Sequence, residues 1–317
     1  MTHAFVLGAA LQSFEGLLSG SISAATPILL VALGGMYTYY SGVFNISMEG
    51  MMLCGAFGAV AAAHGTQNWL WGLMGGIAGA SILGLMFALF VVGLRVDEFV
   101  TGIALNLAAA GATTFALRRT YGVAGAFSGS ADQPIPALPR LSLGPISRTP
   151  IVRAIFSGHT ILDWLALGLV AFSLVLVFRT RFGLRLRAAG FSGPSLNASG
   201  VSTHAIRLWS IGICSVLCGL GGAFLSLGYL QVFGENMSNG RGWIALAAIV
   251  VVKGRPTGIA LLCGLFGLAS SLGLKAQALH IPPQFSEMLP SLATLGALGV
   301  YAHRRKRQRA VSAWSQR

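Results

Sequence analysis

The sequence has 317 residues, of which 55% are hydrophobic and 9% are charged, and its mean hydropathy is +0.75. An ordinary soluble domain carries about 25% charged residues, so this composition excludes a soluble enzyme or binding module and indicates a protein surrounded by lipid. The formal charge of +13 does not indicate a nucleic-acid partner, because a dense basic run at 304–309 follows the last apolar stretch directly, as a positive-inside anchor does.

The apolar stretches predict an all-α, polytopic membrane protein that forms one transmembrane domain over residues 1–317. A transmembrane helix needs about 20 mostly apolar residues, and the charges leave roughly eight or nine such stretches uninterrupted. Segment 241–252 is too short to cross alone, which indicates half of a broken helix or a helix that continues toward Pro256. The predicted spans are 22–40, 43–63, 69–94, 99–117, 160–178, 207–228, 241–252, 256–274 and 285–302.

The few polar residues at membrane depth are the candidates for a solute pathway, because each needs a partner or a wet cavity. Asn45 and Glu49 stand between two apolar runs and are bracketed by Gly42 and Gly50, as expected for an unwound segment before a half-helix. A spacing of four would place both side chains on one helix face, where they suit a polyhydroxylated or nucleobase-bearing solute. The sequence leaves two alternatives open. Glu49 could instead only hold helices together, and Asn106 could either line the solute pathway or pack against another helix.

The stretch 118–159 is rich in proline and glycine and predicts an irregular loop on the outer face of the membrane. It either meets something that arrives from outside or only connects two spans. The four cysteines lie in apolar stretches with neither CxxC spacing nor a histidine cluster, so we expect no disulfide and no metal site.

Segment 179–205 is basic and rich in small residues, and it predicts short helices that lie across the cytoplasmic face of the membrane. A short helix in this position suits the groove of a soluble partner. Arginine in this loop and in the tail 303–317 predicts that both are cytoplasmic, in a multi-pass protein of the cell inner membrane.

The same segment resembles the cytoplasmic coupling region of ABC importer permeases, in which RAxG is followed by AxxxG. Here RAAG occupies 187–190, and Ala198 lies near Gly200. The stretches GVFNISMEGMMLCGAFGA and GRGWIALAAIVVVKGRPTGIALLCGLFG are similar to the simple-sugar and nucleoside branch of the branched-chain-type permease family, and NISMEG favours its nucleoside-type subgroup. The resemblance covers most of residues 25–300, and it implies ATPase-coupling roles for Arg185, Arg187, Ala189, Gly190 and Gly200.

This resemblance implies a permease subunit that imports a small polar solute, most simply a nucleoside, with the alternative of a pentose or hexose. Its expected partners are an ABC ATPase, a second permease chain (a different one, or a second copy), an extracytoplasmic solute-binding protein and membrane lipid. The chain contains no GxxxxGK[ST] phosphate loop, so we expect no cofactor of its own and ATP bound by the partner.

Two other classes of protein fit parts of the sequence. An ion-coupled secondary transporter also uses broken helices, but it needs coupling-ion ligands, and only Glu49 is a convincing buried acid in the sequence. An intramembrane hydrolase is suggested by GxS at 79–81, but it needs a histidine at the same depth, and the histidines fall at span ends, in loops or near the terminus.

Overall fold

The computed structural model describes residues 2–130, 133–141, 158–278 and 296, and this part of the chain is mainly helical. The helices that end at Ala88 and Ala223 continue into the π-helical turns Leu89–Gly93 and Phe224–Tyr229. The strands have two residues each: β1 (Ala126–Phe127), β2 (Arg140–Leu141), β3 (His159–Thr160) and β4 (Phe233–Gly234). The helices are α1 (Thr2–Tyr40), α2 (Met48–Thr66), α3 (Trp69–Ala88), α4 (Glu98–Tyr121), α5 (Ile161–Arg179), α6 (Arg181–Phe191), α7 (Gly193–Ala198), α8 (Thr203–Ala223), α9 (Arg241–Val251) and α10 (Pro256–Ala278).

Within the described residues, six helices are long and apolar enough to cross a membrane. Each corresponds to a predicted span with shifts at its ends, so the polytopic all-α prediction is confirmed. The predicted span 285–302 lies outside the described residues apart from Gly296, as does the tail 303–317. The six are Phe14–Tyr40, Trp69–Gly93, Glu98–Tyr121, Ile161–Arg179, Thr203–Tyr229 and Pro256–Gln277.

Helix α2 lies in the interior of the bundle, packed by α3, α4, α8 and α9. Met51, Met52, Ala56 and Val60 are all fully buried. Neighbouring helices rather than lipid cover this surface. Helix α2 is rich in alanine and glycine, which let those helices approach closely. It begins at Met48, five residues later than the predicted span 43–63.

Glycines bring the backbones of the central helices into contact, as the small-residue spacing of the sequence indicates. An added Cβ at Gly58 would collide with the backbone carbonyl of Gly75, and one at Gly75 with that of Gly58. An added Cβ at Gly219 would lie 2.6 Å from the carbonyl oxygen of Gly76. These glycines therefore act in packing.

The bundle has two ends, which we name by their residues. The arginine side contains the end of α1, the segment 179–202 and the turn 252–255: the Tyr40 hydroxyl lies 3.5 Å from the carbonyl oxygen of Lys253. The loop side contains the end of α2 and the described parts of 122–158, where the rings of His64 and Phe127 are 5.1 Å apart.

The described part of the predicted outer loop packs onto the bundle. Strand β1 pairs with β4 in antiparallel register, and β2 pairs with β3. Ile135 and Leu138 are buried, and the Leu138 amide donates to the carbonyl of Leu227 at 3.2 Å. The loop was predicted over 118–159, but residues 118–121 belong to α4, and 131–132 and 142–157 lie outside the described residues. In the described part, apolar residues cover the ends of the helices.

A second buried acid, Asp163, was missed by the sequence analysis. It lies in the first turn of α5 and accepts hydrogen bonds from the Thr160 amide at 2.8 Å and the Thr160 hydroxyl at 2.9 Å. The Thr26 hydroxyl of α1 donates to its other oxygen. The T-x-x-D pattern at 160–163 is a capping box, so the signal was present in the sequence.

Candidate functional site

The chain between α1 and α2 is unwound, as predicted, and Asn45 shapes it. Residues 41–47 are not helical, and Gly42 has a left-handed φ of +75°. The Asn45 side-chain oxygen accepts from the Ser47 amide at 3.0 Å and the Ser47 hydroxyl at 2.7 Å. Asparagine commonly folds back on the following backbone in this way at the start of a helix. Asn45 therefore sets the direction in which α2 begins.

Asn106 of α4 clamps the same segment from the other side. Its side-chain nitrogen donates to the Ile46 carbonyl at 3.0 Å, and its oxygen accepts from the Gly50 amide at 2.8 Å. One amide side chain thus satisfies an acceptor of the unwound segment and a donor of the first turn of α2, which otherwise lack helical partners. Asn106 holds α4 against the start of α2.

Glu49 binds the N-terminus of α9, the short helix that was predicted as half of a broken helix. Its two carboxylate oxygens accept from the Gly240 amide at 2.9 Å and the Gly242 amide at 2.6 Å. A carboxylate at this end is also favoured by the helix dipole. An added Cβ at Gly242 would lie 2.7 Å from the Glu49 amide nitrogen, so the close approach requires glycine there.

Arg241, the first residue of α9, was not among the candidates from the sequence. Its guanidinium folds back and donates to the carbonyls of Met237 at 3.1 Å and Ser238 at 3.3 Å. It interacts electrostatically with Glu49 but does not form an ion pair with it; among the described side chains the ion pair is Arg118 with Glu235. The sequence did contain a signal for Arg241, because a cation at the start of the apolar stretch GRGWIALAAIV needs a partner at membrane depth.

These residues form one cluster, the polar junction, defined as Asn45, Ser47, Glu49, Asn106 and the 240–242 backbone. The side chains of Asn45, Ser47 and Glu49 are buried in it. The prediction that Asn45 and Glu49 share a helix face is wrong, because Asn45 lies in the unwound segment and Glu49 in α2. Their side chains hold backbone groups of two interrupted helices. Whether a solute passes beside them stays a prediction.

Replacing Asn106 with leucine, which is similar in size, is expected to destabilise the protein. The Gly50 amide and the Ile46 carbonyl would lose their partner, at about 1–3 kcal/mol for each buried group. We expect the midpoint of thermal unfolding to fall by at least about 4 °C. The four cysteines are free, and three of them are buried, so a thiol-reactive dye in detergent follows unfolding without an added label. Leu107→Ala, on the exposed side of the same helix, is the control and should leave the midpoint almost unchanged.

On the arginine side, segment 179–202 forms the two short helices predicted from the sequence, α6 and α7. The Thr180 hydroxyl accepts from the Gly183 amide at 3.2 Å and caps α6, and Ser192 caps α7. Gly200, with φ of +82°, turns the chain toward α8. The segment therefore lies across the end of the bundle as a compact unit.

The predicted coupling residues of α6 face in different directions. Ala189 is buried, and an added Cβ at Gly190 would collide with the Tyr40 carbonyl at the end of α1. The Arg187 guanidinium lies 5.3 Å from the centre of the Phe178 ring, a cation–π contact. Arg185 and Gly190 are exposed, and the Arg185 side chain forms no hydrogen bond or ion pair with the described residues. Ala189 and Gly190 thus touch the transmembrane helices.

An apolar cavity of about 550 Å³ lies between α2, α3 and α4. Its lining is almost entirely glycine, alanine and larger apolar side chains, and the hydroxyl of Thr113 is bonded to the Ala109 carbonyl of its own helix at 2.7 Å. The cavity offers almost no hydrogen-bonding group to a polar solute. We therefore place no solute site in it.

Comparison with known proteins agrees with this architecture. The chain is 32% identical over 270 residues to a putative glucose ABC transporter permease of Haloferax volcanii, covering 84% of this chain and 79% of that protein. It is 31% identical to a guanosine ABC transporter permease of Bacillus subtilis over 86% of this chain and 88% of the relative. A nucleoside ABC transporter permease of Lactococcus lactis is also 31% identical, over 87% of this chain and 89% of the relative. No solved structure matches the chain.

Residues 17–298 match the family described as the branched-chain amino acid transport system / permease component. This match covers most of the chain, and the relatives span nearly the same length. The unwound helix, the half-helix and the short helices on the arginine side occupy the regions on which the resemblance in the sequence depends. The chain belongs to this permease family and is a membrane-embedded transport subunit of the ABC type.

Proposed function

We propose that the chain is the permease subunit of an ATP-driven importer of nucleosides. The observation that carries this proposal is the match to two relatives named for guanosine and nucleoside transport, along nearly the whole of both chains. The stretch NISMEG at 45–50, which favours the nucleoside subgroup, forms the start of α2 and most of the polar junction. Nucleoside import therefore explains both the relatives and the position of the polar residues.

The working complex that we propose contains a second permease chain, an ATPase that binds and hydrolyses ATP, and an extracytoplasmic solute-binding protein. The arginine side faces the cytoplasm, together with the tail 303–317, in the cell inner membrane. Exposed arginines at 179, 181 and 185 support this orientation, because cytoplasmic loops carry an excess of arginine and lysine. The loop side then meets the solute-binding protein.

The transport step that we propose runs through a short series of contacts. The ATPase displaces α6, and Gly190 transmits the displacement to the end of α1 at Tyr40. The unwound segment 41–47 follows directly and leads to the polar junction, where α2, α4 and α9 meet. Interrupted helices at membrane depth are a usual location for solute sites in transporters. Asn45, Glu49 and Asn106 would position the segments between which the solute passes.

A simple sugar is the second candidate solute, because the glucose permease relative is as similar as the nucleoside permeases. A nucleoside differs from a simple sugar in its planar base, which the sugar lacks. Competition for uptake therefore separates them.

The test is uptake of labelled guanosine by source cells with and without the gene for this chain. We expect uptake to disappear in the deletion strain, return with the gene, and stop when ATP is depleted. Excess unlabelled guanosine or uridine should compete, whereas glucose and ribose should not. Gene-dependent uptake of labelled glucose or ribose, without gene-dependent uptake of guanosine, would assign the sugar function, and uptake that persists without ATP would contradict an ABC transporter.

A further inference from the structure

Arg241 lies at membrane depth, although it is a cation. Helix α9 begins with this residue and ends at Val251, just before the turn 252–255 on the arginine side. Eleven residues at about 1.5 Å each place Arg241 up to about 16 Å from that turn, which is about half of the ~30 Å hydrocarbon core. An arginine at this depth faces the interior of the bundle or a wet cavity, so Arg241 is a candidate for contact with the solute.

The guanidinium of Arg241 keeps one edge unused. A guanidinium carries its N–H donors in a planar fork and accepts nothing. Nη1 donates to the carbonyls of Met237 and Ser238, at 3.1 Å and 3.3 Å. Nε and Nη2 donate to none of the residues that the structure describes, and the residue is only half-buried. Nε and Nη2 together form an edge that binds two acceptors at once.

Ser238 supplies a second unused polar group beside Arg241. Its side chain is fully buried, and its hydroxyl has no hydrogen-bond partner among the described residues. The Ser238 carbonyl accepts from the Arg241 amide at 3.0 Å, so the two residues belong to one turn. A buried hydroxyl without a partner is costly for the protein alone. This hydroxyl is therefore an independent indication that a polar ligand binds here.

The surroundings of Arg241 describe the chemistry of that ligand. Glu49 interacts electrostatically with the guanidinium, and its carboxylate offsets the positive charge, so the site favours an uncharged ligand over an anion. Tyr229, at the end of the π-helical turn Phe224–Tyr229, also interacts with the guanidinium. It places an aromatic ring near the site, which suits a planar base. Since arginine only donates, the ligand must present acceptors to it.

Nucleobases differ in the groups that such a donor edge meets. Guanosine offers two adjacent acceptors, O6 and N7, whereas adenosine offers N7 beside an amino group that donates. Uridine has a carbonyl oxygen at position 4 of its base, where cytidine has an amino group. The unused edge of Arg241 therefore favours oxo bases over amino bases, and it favours guanosine most because two acceptors match two donors.

We propose that Arg241 binds the oxo edge of a nucleobase through Nε and Nη2, with the Ser238 hydroxyl as a second contact. The permease then prefers guanosine and uridine to adenosine and cytidine. This inference rests on the proposed function, because it assumes that the solute is a nucleoside. It divides the work around the polar junction: Glu49 and Asn106 hold the interrupted helices, while Arg241 and Ser238 contact the solute.

The first experiment compares uptake of labelled guanosine and labelled adenosine in the deletion strain that carries the wild-type gene or Arg241→Gln. Glutamine offers both a donor and an acceptor, the pair that suits adenine, so the ratio of guanosine to adenosine uptake should fall at least about fivefold. Arg118→Gln is the matched control, because it removes only an exposed ion pair with Glu235, and it should leave the ratio unchanged. The solute-binding protein is the same in all strains, so a changed ratio comes from the permease.

The ratio separates recognition of the solute from support of the fold. An Arg241→Gln variant that lowers uptake of both nucleosides equally would show that Arg241 only supports the fold, and would overturn the inference while the proposed function stands. If the wild-type gene restores no nucleoside uptake, the proposed function fails and the inference fails with it.

The second experiment measures binding by the purified full-length chain, without the solute-binding protein. Saturating guanosine should raise the midpoint of thermal unfolding, followed with the thiol-reactive dye, and adenosine should raise it less. Ser238→Ala removes a hydroxyl that has no partner among the described residues, so the midpoint without solute should not fall, whereas the shift by guanosine should shrink. Equal shifts by guanosine and adenosine in the wild-type chain, or no shift by either, would overturn the inference. An unchanged guanosine shift in Ser238→Ala would contradict the contact with Ser238.

Discussion

Glu49→Ala should lower nucleoside uptake at least tenfold while the chain still inserts into the membrane and binds the ATPase. The variant removes both acceptors from the amides of Gly240 and Gly242. Each buried amide that loses its partner costs about 1–3 kcal/mol. The start of α9 then detaches from α2 or frays, so the polar junction no longer holds the two interrupted helices in register. Uptake per inserted protein, measured by immunoblot and labelled guanosine, checks the effect.

Hydrogen exchange separates this explanation from a direct contact between Glu49 and the solute. If Glu49 caps α9, the amides of residues 240–244 should exchange at least ten times faster in Glu49→Ala without any solute. Glu49→Gln keeps one acceptor and should be intermediate in both measurements. Glu235→Gln is the control, because glutamine still offers an acceptor to the Gly125 amide and loses only the ion pair with the exposed Arg118, and such pairs contribute at most about 1 kcal/mol. Slow exchange at 240–244 combined with lost uptake would contradict the capping role.

The sequence predicted the existence of the half-helix but not its partner. An 11-residue apolar helix between Gly240 and Lys253 is too short to cross a membrane, and this follows from length alone. The hydrogen bonds from its first turn reach Glu49, 191 residues earlier in the chain. A carboxylate at membrane depth can bind a solute, an ion or backbone amides. Only the structure shows that Glu49 binds the backbone amides at the start of α9.

The start of α2 shows why helix boundaries are difficult to place. The apolar pattern begins at Val43, whereas the helix begins at Met48 because Asn45 accepts from Ser47. Asparagine and serine close to the start of a helix favour caps and turns, so this error was avoidable. The contact between Asn106 and Ile46 was not predictable, because nothing in GIALNLAAAG shows which element faces the asparagine.

Helix α6 was predicted, but the directions of its side chains were not. Leucine occurs on both sides of the helix, with Leu184 exposed and Leu186 fully buried. Apolar periodicity therefore does not show which side contacts the bundle. The family resemblance pointed to RAAG as the ATPase contact, while the structure shows that Ala189 and Gly190 face the transmembrane helices.

Gly190→Val should uncouple the ATPase from transport without releasing it. The added side chain collides with the carbonyl of Tyr40 and lies close to the amide of Gly42, so α6 moves away from the end of α1. The exposed side of α6 is unchanged, so the ATPase, identified as the co-purifying subunit that 8-azido-ATP photolabels, should still be recovered with the tagged chain. Uptake of labelled guanosine should fall at least tenfold, because displacement of α6 no longer reaches the unwound segment.

The matched control is Gly212→Val in α8, where an added Cβ meets nothing within 4 Å. It makes the same chemical change in a helix, and it should leave both uptake and ATPase recovery near wild type. Loss of the labelled subunit in Gly190→Val would mean that ATPase binding itself depends on the packing of α6 against the end of α1. Normal uptake in that variant would mean that force reaches the transmembrane helices by another route, of which Arg187 on Phe178 is the nearest in the structure.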